Sequence, residues 1–277
     1  MSDTPTDDAQ AFKNFEQAGW QRAARGYHDY FGELTRQAVA PLLDAVGAAA
    51  GTRLLDVASG PGYAAGAAAE RGAEVIGIDF SSEQVALAQR NYPRASFQEG
   101  DAEALDFDNG SFDAVVSNIG MLHFPEPERA MAEAHRVLRG GGRFSFTVWS
   151  LPGKAIGLDI VLTAVQAHGD MDVPLPPGPS FFRFSEAEEC RRCLNGAGFA
   201  DPEVTEIPLI WTFPSAEALV QAAREGTVRT AVLLAAQAPD AQAAIDAAIC
   251  EGAARYATQG GRVEIPMSAT LASARKA

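Results

Sequence analysis

The stretch Arg53 to Ala67, RLLDVASGPGYAAGA, combines a carboxylate, a glycine turn and a helix start within fifteen residues. The apolar run Leu54-Leu55-Asp56-Val57 reads as a buried strand. It breaks at Ala58-Ser59-Gly60-Pro61-Gly62 and passes into an alanine-rich helix, Tyr63 to Arg71. Glycines in such a turn let the backbone approach a ligand, and a helix N-terminus presents unpaired N–H groups. A second apolar run, EVIGID, ends in Asp79, twenty-three residues after Asp56. In a doubly wound fold an acid at the end of the second strand holds a ribose diol. The pattern therefore predicts a site for a nucleoside-containing cofactor.

The elements that must position these residues alternate from Thr52 to Trp149. RLLDVAS, AEVIGID, ASFQEGD, FDAVVSN and RFSFTVW read as strands, the third ending at Asp101 and the fourth at Asn118. YAAGAAAER, SSEQVALAQRN and PEPERAMAEAHRVLR read as helices. Ser81 or Ser82 is the expected N-cap of the second, and the third is expected to start at Pro125 and stop at Gly140-Gly141-Gly142. Such alternation predicts parallel strands with right-handed crossovers. Ahead of them, residues 1–10 read as a disordered tail. Residues 11–46 read as helix, with Phe12, Phe15, Trp20, Tyr27, Tyr30, Phe31 and Leu34 at helical spacing and Gly26 dividing two helices. The expected organisation is residues 1–51 as tail and lid helices, 52–150 as cofactor-binding core, and 151–277 as the rest of the sheet. Apolar insertions at about 151–183 and 214–259 leave from the ligand-facing side and are expected to act as caps.

Bulk properties narrow the partners. A chain of 277 residues with 47% hydrophobic and 21% charged residues is ordinary for a globular protein. A formal charge of −14, with no Lys/Arg run beyond two residues, argues against nucleic acid and against an anionic membrane surface. The acidic start MSDTPTDDAQ is no signal peptide, and no uncharged apolar run approaches the ~18–20 residues of a membrane span. A cytoplasmic setting is expected. Cys190, Cys193 and Cys250 make no disulfide framework, and the C-x-x-C of the first two sits in a helical pattern without further ligands for a metal.

Four stretches in register resemble the class I S-adenosylmethionine-dependent methyltransferases, in the set containing the ubiquinone/menaquinone C-methyltransferases and many small-molecule methyltransferases. They are LLDVASGPG, VIGIDFSSEQVALA, EGDAEALDFDNGSFDAVVSNIGMLHF and EAHRVLRGGGRFSFTVW. The resemblance implies an α/β, doubly wound Rossmann-like sheet, mostly parallel with an antiparallel last strand, carrying helical cap insertions. It implies S-adenosylmethionine as cofactor and S-adenosylhomocysteine as product. Asp56, Ala58, Gly60 and Gly62 would surround the methionine portion, and Asn118 would lie near it. Asp79 would take both ribose hydroxyls. Phe80 would lie on the adenine with Gln84 bordering the ring. Asp101 would accept from the adenine amino group while the Ala102 amide donates to a ring nitrogen. Two departures are Ala58 where the glycine motif commonly has glycine, and Arg139-Gly140-Gly141-Gly142 where Lys-Pro-Gly-Gly is usual.

Methyl transfer needs alignment and exclusion of water, and a base only where the acceptor must lose a proton. His123, in NIGMLHF, is the candidate base. His28 is a weaker one, His168 could face substrate, and His135 reads as structural. Trp20, Tyr27 and Tyr30 could form an aromatic lid over the cofactor, with Trp20 and Tyr27 as weaker cofactor contacts, or attract a cationic acceptor, while Trp149, Phe181, Phe182 and Trp211 could line an apolar acceptor pocket. Asp170 and Asp172 read as a solvated loop. The expected function is methylation of an O, N or C atom of a small, partly hydrophobic metabolite. A non-catalytic module binding the same cofactor is the alternative, followed by a nicotinamide-dependent oxidoreductase, for which the G-x-G-x-x-G match is imperfect. The acceptor is not specified, and a homodimer is left open.

Overall fold

The structure, a computed structural model, describes residues 6–277. Its spine is a seven-stranded sheet of β1 (Arg53–Val57), β2 (Glu74–Asp79), β3 (Ser96–Glu99), β4 (Phe112–Asn118), β5 (Leu138–Trp149), β6 (Phe199–Phe213) and β7 (Val263–Lys276), in the order β3-β2-β1-β4-β5-β7-β6. β1 pairs in parallel with β2 and β4, β2 with β3, and β4 with β5, while β7 runs antiparallel to both β5 and β6. This is the mostly parallel sheet with an antiparallel last strand expected from the sequence.

The central strands are buried on both faces, which is why they read as unbroken apolar runs. Leu54, Leu55, Val115, Val116, Phe112 and Phe146 are fully buried. The crossovers are α3 (Tyr63–Glu70), α4 (Ser82–Asn91) and α5 (Pro127–Val137). Ser81 is the N-cap of α4, its hydroxyl accepting from the Gln84 amide at 3.3 Å. Ahead of the sheet come α1 (Asp7–Arg36) and α2 (Val39–Ala45). After β5 come α6 (Ile156–His168) and α7 (Ala187–Gly196), and between β6 and β7 lie α8 (Glu217–Glu225), α9 (Arg229–Ala235) and α10 (Pro239–Ala254).

Several boundaries differ from the sequence reading. Helix α1 is continuous through Gly26. A Cβ there would stand 2.2 Å from the Glu225 carbonyl oxygen, and one on Gly19 would stand 2.2 Å from Val228. Both glycines therefore admit the end of α8 and the turn after it, a packing gain that outweighs the ~1 kcal/mol helical cost of glycine. The expected tail is helical from Asp7, capped by Thr6, whose hydroxyl accepts from the Ala9 amide at 3.2 Å. The remainder of that expectation, residues 1–5, lies outside the described residues. α5 starts at Pro127 and ends at Val137, because Leu138 already pairs with Phe112. Gly140 to Gly142 lie inside β5, where the register shifts and a Cβ on Gly142 would meet the Asp113 carbonyl at 2.9 Å. β3 ends at Glu99, so Asp101 belongs to a turn, bridged to Ala104.

Candidate functional site

Strand order reverses direction about β1 and β4, and connections leave their C-terminal ends toward opposite faces, opening a crevice between them. A cleft lies there. Its floor is the turn after β1 (Ala58, Ser59, Gly60, Pro61), the end of β2 (Asp79, Phe80) and the segment after β3 (Gly100 to Glu103). The segment after β4 adds Asn118, Ile119, Gly120 and His123. Lys13, Trp20 and Tyr27 of α1 close it from above. These three recur every seven residues, about two helical turns, so one stripe roughly 21 Å long covers the cleft.

Local conformation explains the floor. Gly60 and Gly62 have φ of +52° and +87°, which favours glycine. Their roles differ. A Cβ at Gly60 would meet nothing within 4 Å, whereas one at Gly62 would meet Phe97, Ala88 and Tyr92 within 3.0 Å. Gly60 thus leaves space on the cleft, while Gly62 packs β3 and α4 behind the turn. Asp56 also stands behind it. Its Oδ2 accepts from the Ala65 amide at 2.9 Å, Oδ1 has no partner, and burial raises its pKa to about 7. Asp56 and Gly62 do not line the cleft, contrary to the sequence expectation, because β1 turns its carboxylate into the start of α3. Ala58 (φ +55°) and Ile119 (φ +59°) sit at the ends of β1 and β4, and a β-branched residue at such φ stores strain beside the cleft.

Asp79 is 5% exposed. Its Oδ2 accepts from the Gly60 amide at 2.9 Å and its Oδ1 from the Ser81 amide at 2.9 Å. Burial pushes its pKa up to about 6 against those two bonds and the nearby His123 charge, which pull it down. Each oxygen keeps an unused lone-pair direction. Two further polar atoms on cleft residues, Ser59 Oγ and Gln84 Oε1, are buried with no partner. A buried carboxylate with spare acceptor capacity, orphaned polar atoms and a bare Gly60 Cα suit a nucleoside with an amino-acid tail. Asp101 is less free than the sequence suggested. Lys13 Nζ lies 2.7 Å from its Oδ2 and 2.7 Å from Glu103 Oε2, and Asp101 Oδ1 accepts from the Glu103 amide at 2.9 Å. Ala102 and Phe80 line the same end. Asn118 accepts from Thr147 Oγ1 at 2.7 Å and donates to the Thr35 carbonyl at 3.2 Å, tying β4 to β5 and α1.

His123 is on the cleft wall. Its Nδ1 donates to Glu16 Oε2 at 2.9 Å, and its ring meets Trp20 edge-on at 4.9 Å between centroids. Glu16 is fully buried, with Arg229 Nε 3.1 Å from its Oε1. His28, the weaker candidate, is outside the cleft lining and shares a 2.8 Å hydrogen bond with the Tyr63 hydroxyl. Trp20 and Tyr27 form an edge-on pair at 5.2 Å on the cleft, and enclosure raises the Tyr27 hydroxyl to about 12. Tyr30 is not on the cleft, its hydroxyl facing Gln221 at 3.4 Å.

A second cavity lies beyond Phe181, whose ring is 6.5 Å from that of His123, lined by Phe31, α6 (Leu158, Val161, Leu162), Leu175, Phe181, Phe182, Trp211 and the α8–α9 region (Ala223, Thr227, Arg229, Thr230, Leu233). Trp149 is buried elsewhere, its carbonyl taken by Ser185. Cys190 donates to the Phe184 carbonyl at 3.1 Å, and burial raises its thiol to about 12. Among the described residues no group of three or more His, Cys, Asp or Glu could hold a metal, and no helix is long and apolar enough to cross a membrane. Sequence reasoning missed Lys13, Glu16, Ser59, Tyr63, Ile119, Gly120 and Arg229. Ser59, Ile119 and Gly120 lie inside the motif stretches and Lys13 on the seven-residue stripe of α1, whereas Glu16 and Arg229 are brought in by packing between distant segments.

Comparison with known proteins places the core. Residues 55–146 match a family described as a methyltransferase domain. A demethylmenaquinone methyltransferase of Renibacterium salmoninarum is 40% identical over 111 residues, 40% of this chain and 47% of that protein. One from Chlorobaculum tepidum is 44% identical over 162 residues, 54% of this chain and 66% of that protein. The chain thus spans about half to two thirds of these relatives' length. Among solved structures, the Haemonchus contortus phosphoethanolamine N-methyltransferase 2 in complex with phosphomonomethylethanolamine and S-adenosylhomocysteine superposes with a TM-score of 0.59. The two are 19% identical over 96% of this chain and 60% of that one, a likeness of fold.

Proposed function

We propose that this chain, whose core is a class I methyltransferase domain, transfers a methyl group from S-adenosylmethionine to a small, partly apolar molecule. The observation that carries this reading is Asp79, buried at the end of β2 opposite the bare Gly60, with acceptor capacity left on both carboxylate oxygens. Asp79 would hold the ribose hydroxyls, Gln84, Phe80, Ala102 and Asp101 the adenine end, and Ser59, Gly60 and Asn118 the amino-acid portion. When bound, the cofactor supplies a methyl group on a sulfonium sulfur, which keeps the bonding electron pair as the methyl leaves.

The protein's own part is alignment and shielding. The α1 stripe of Lys13, Trp20 and Tyr27 covers the cleft and keeps water from it. Phe181, Phe182 and Trp211 would form the acceptor side, next to His123. The 1–51 and 151–277 segments then serve as lid and acceptor cap around the 52–150 core. The reading fits a cytoplasmic enzyme acting on a metabolite.

Isothermal titration with S-adenosylhomocysteine tests it. Saturable binding to one site per chain, with no heat from NAD, is the expected result. Binding of NAD without S-adenosylhomocysteine would overturn it in favour of a nicotinamide enzyme. Cofactor binding with no transfer to any acceptor across a broad panel would favour a binding module.

A further inference from the structure

His123 of the cleft and Arg229 of the second cavity are joined through a charge cluster that three distant segments bring together. Glu16 comes from α1, His123 from the turn after β4 and Arg229 from the start of α9. Glu16 is 0% exposed, an expensive place for a carboxylate unless both oxygens are matched. Both are matched: Oε2 by His123 Nδ1 at 2.9 Å and Oε1 by Arg229 Nε at 3.1 Å. Arg229 is in turn clamped, its guanidinium 4.3 Å over the Phe12 ring and its Nη1 3.4 Å from the Pro179 carbonyl.

This arrangement defines the histidine. A carboxylate at Nδ1 selects the tautomer with its proton there and leaves the Nε2 lone pair free. Among the described residues Nε2 has no hydrogen-bond partner, and the ring borders the cofactor cleft. Trp20 and Phe181 pack edge-on against the ring, at 4.9 and 6.5 Å, so it has little room to turn. Phe181 is also a wall of the second cavity, so one face of the histidine's surroundings belongs to each space.

We infer that Glu16, anchored by Arg229, is a positioning residue that presents His123 Nε2 as the proton acceptor, and that the substrate is a mostly apolar, ring-bearing molecule with an acidic O–H, seated in the second cavity. The inference rests on the methyl-transfer reading. The substrate O–H bond breaks with its proton passing to Nε2, giving an imidazolium whose Nδ1–H faces the Glu16 carboxylate. The freed oxygen pair forms the O–CH₃ bond as the S–CH₃ bond breaks, its electrons staying on sulfur. The lining is mainly apolar, with Phe181, Phe182 and Trp211 among its walls, which suits an aromatic ring, and it offers no carboxylate to pair with a cationic amine.

The test uses 2-naphthol and 2-naphthalenethiol as acceptors of matched shape, the thiol ionising without help near neutral pH. With the wild-type chain both are expected to be methylated. His123→Asn should lower turnover of the naphthol by about 10²–10⁴-fold, the range for losing a positioned base. Glu16→Gln should lower it by roughly 10–100-fold, as expected for a residue that orients a working histidine through its other nitrogen. In both variants the loss with the thiol should be much smaller, so the ratio of the two activities moves toward the thiol. Leu162→Trp, which fills the second cavity, should raise KM for the naphthol about tenfold without changing S-adenosylhomocysteine affinity. Equal losses for naphthol and thiol would overturn the relay. Failure of the wild type to methylate either acceptor while S-adenosylhomocysteine binds would overturn the substrate class. Absence of S-adenosylhomocysteine binding to the wild type would instead sink the methyl-transfer reading. S-adenosylhomocysteine affinity within twofold of wild type certifies that each variant is folded, and Arg229→Lys, which keeps the charge, should fall between wild type and Glu16→Gln.

Discussion

The cofactor cleft and the apolar cavity approach each other at His123 and Phe181 but are made in opposite ways. The cleft is built from backbone at the ends of β1, β2 and β4, where amides of Gly60 and Ser81 converge on Asp79. Its shape depends on positive φ at Ala58, Gly60 and Ile119. The cavity is built from side chains contributed by α1, α6, α8, α9 and β6, with almost no polar atoms. A site made of strand ends is specified by a few neighbouring residues and tolerates little change in backbone. A site made of side-chain packing is specified by many segments and can be reshaped by single substitutions. The first suits a fixed cofactor and the second a variable acceptor.

The comparison breaks if damage to one space carries over to the other. The largest effect is expected from Trp211→Ala. Trp211 is 2% exposed, packs on Phe31 and Phe213, and donates from Nε1 to the Tyr30 carbonyl at 2.9 Å. Its loss should cost about 3–5 kcal/mol in urea denaturation. S-adenosylhomocysteine affinity, measured where the variant is still folded, should stay within twofold. An affinity loss as large as the stability loss would show the two spaces to be one unit.

Next in size, Asp79→Ala should weaken S-adenosylhomocysteine binding by about 1–3 kcal/mol, as for loss of hydrogen bonds to a charged group. Calorimetry at pH 8 reads this directly, and an unchanged affinity would remove Asp79 from the ribose. Gly62→Ala should act on folding. Its φ of +87° and the crowding by Phe97, Ala88 and Tyr92 predict a stability loss of roughly 1–2 kcal/mol. Gly60→Ala faces similar backbone strain but open space, so it should cost less stability and more cofactor affinity. Equal profiles for the two would erase the distinction between the lining and the packing glycine.

The most diagnostic effect is in pH. Burial raises Asp56 to about 7 and Asp79 to about 6, from an ordinary 3.8. The folded chain therefore binds more protons than the unfolded one between about pH 4 and 7, and stability should fall as pH rises through that window. Together the two groups correspond to roughly 5–7 kcal/mol, levelling off above about pH 7. Cofactor affinity should move the other way, rising between pH 5 and 7 as Asp79 ionises and accepts from two hydroxyls. Denaturation and S-adenosylhomocysteine titrations at pH 5, 6, 7 and 8 separate the two trends. Parallel trends would place the raised carboxylates outside the binding site.

Much of the fold was legible because it is local. Short parallel strands with their following turns appear as apolar runs ending in Asp79 or Asn118, and the four motifs kept their order and spacing. The errors came where packing overrode propensity. Gly26 reads as a break, yet it lies inside a thirty-residue helix because the end of α8 needs the room. Gly140 to Gly142 read as a helix stop, yet they carry the register shift of β5. In the site, Asp79, Phe80, Gln84, Ala102 and His123 were named from sequence and meet in the cleft. Asp56 was read as a ligand, but a strand residue's direction depends on register, which turned it toward Ala65.

By itself the sequence determined a doubly wound α/β core and a nucleoside-shaped turn between strand and helix, since these depend on residues within a few positions of one another. Only the tertiary structure decided which carboxylates face the cleft, how Lys13 engages Asp101, and that Glu16, His123 and Arg229 meet. Those pairings join residues separated by 88, 107 and 213 positions. Nothing in local propensity encodes such distances, because the energy that brings them together is the burial of the apolar faces around them.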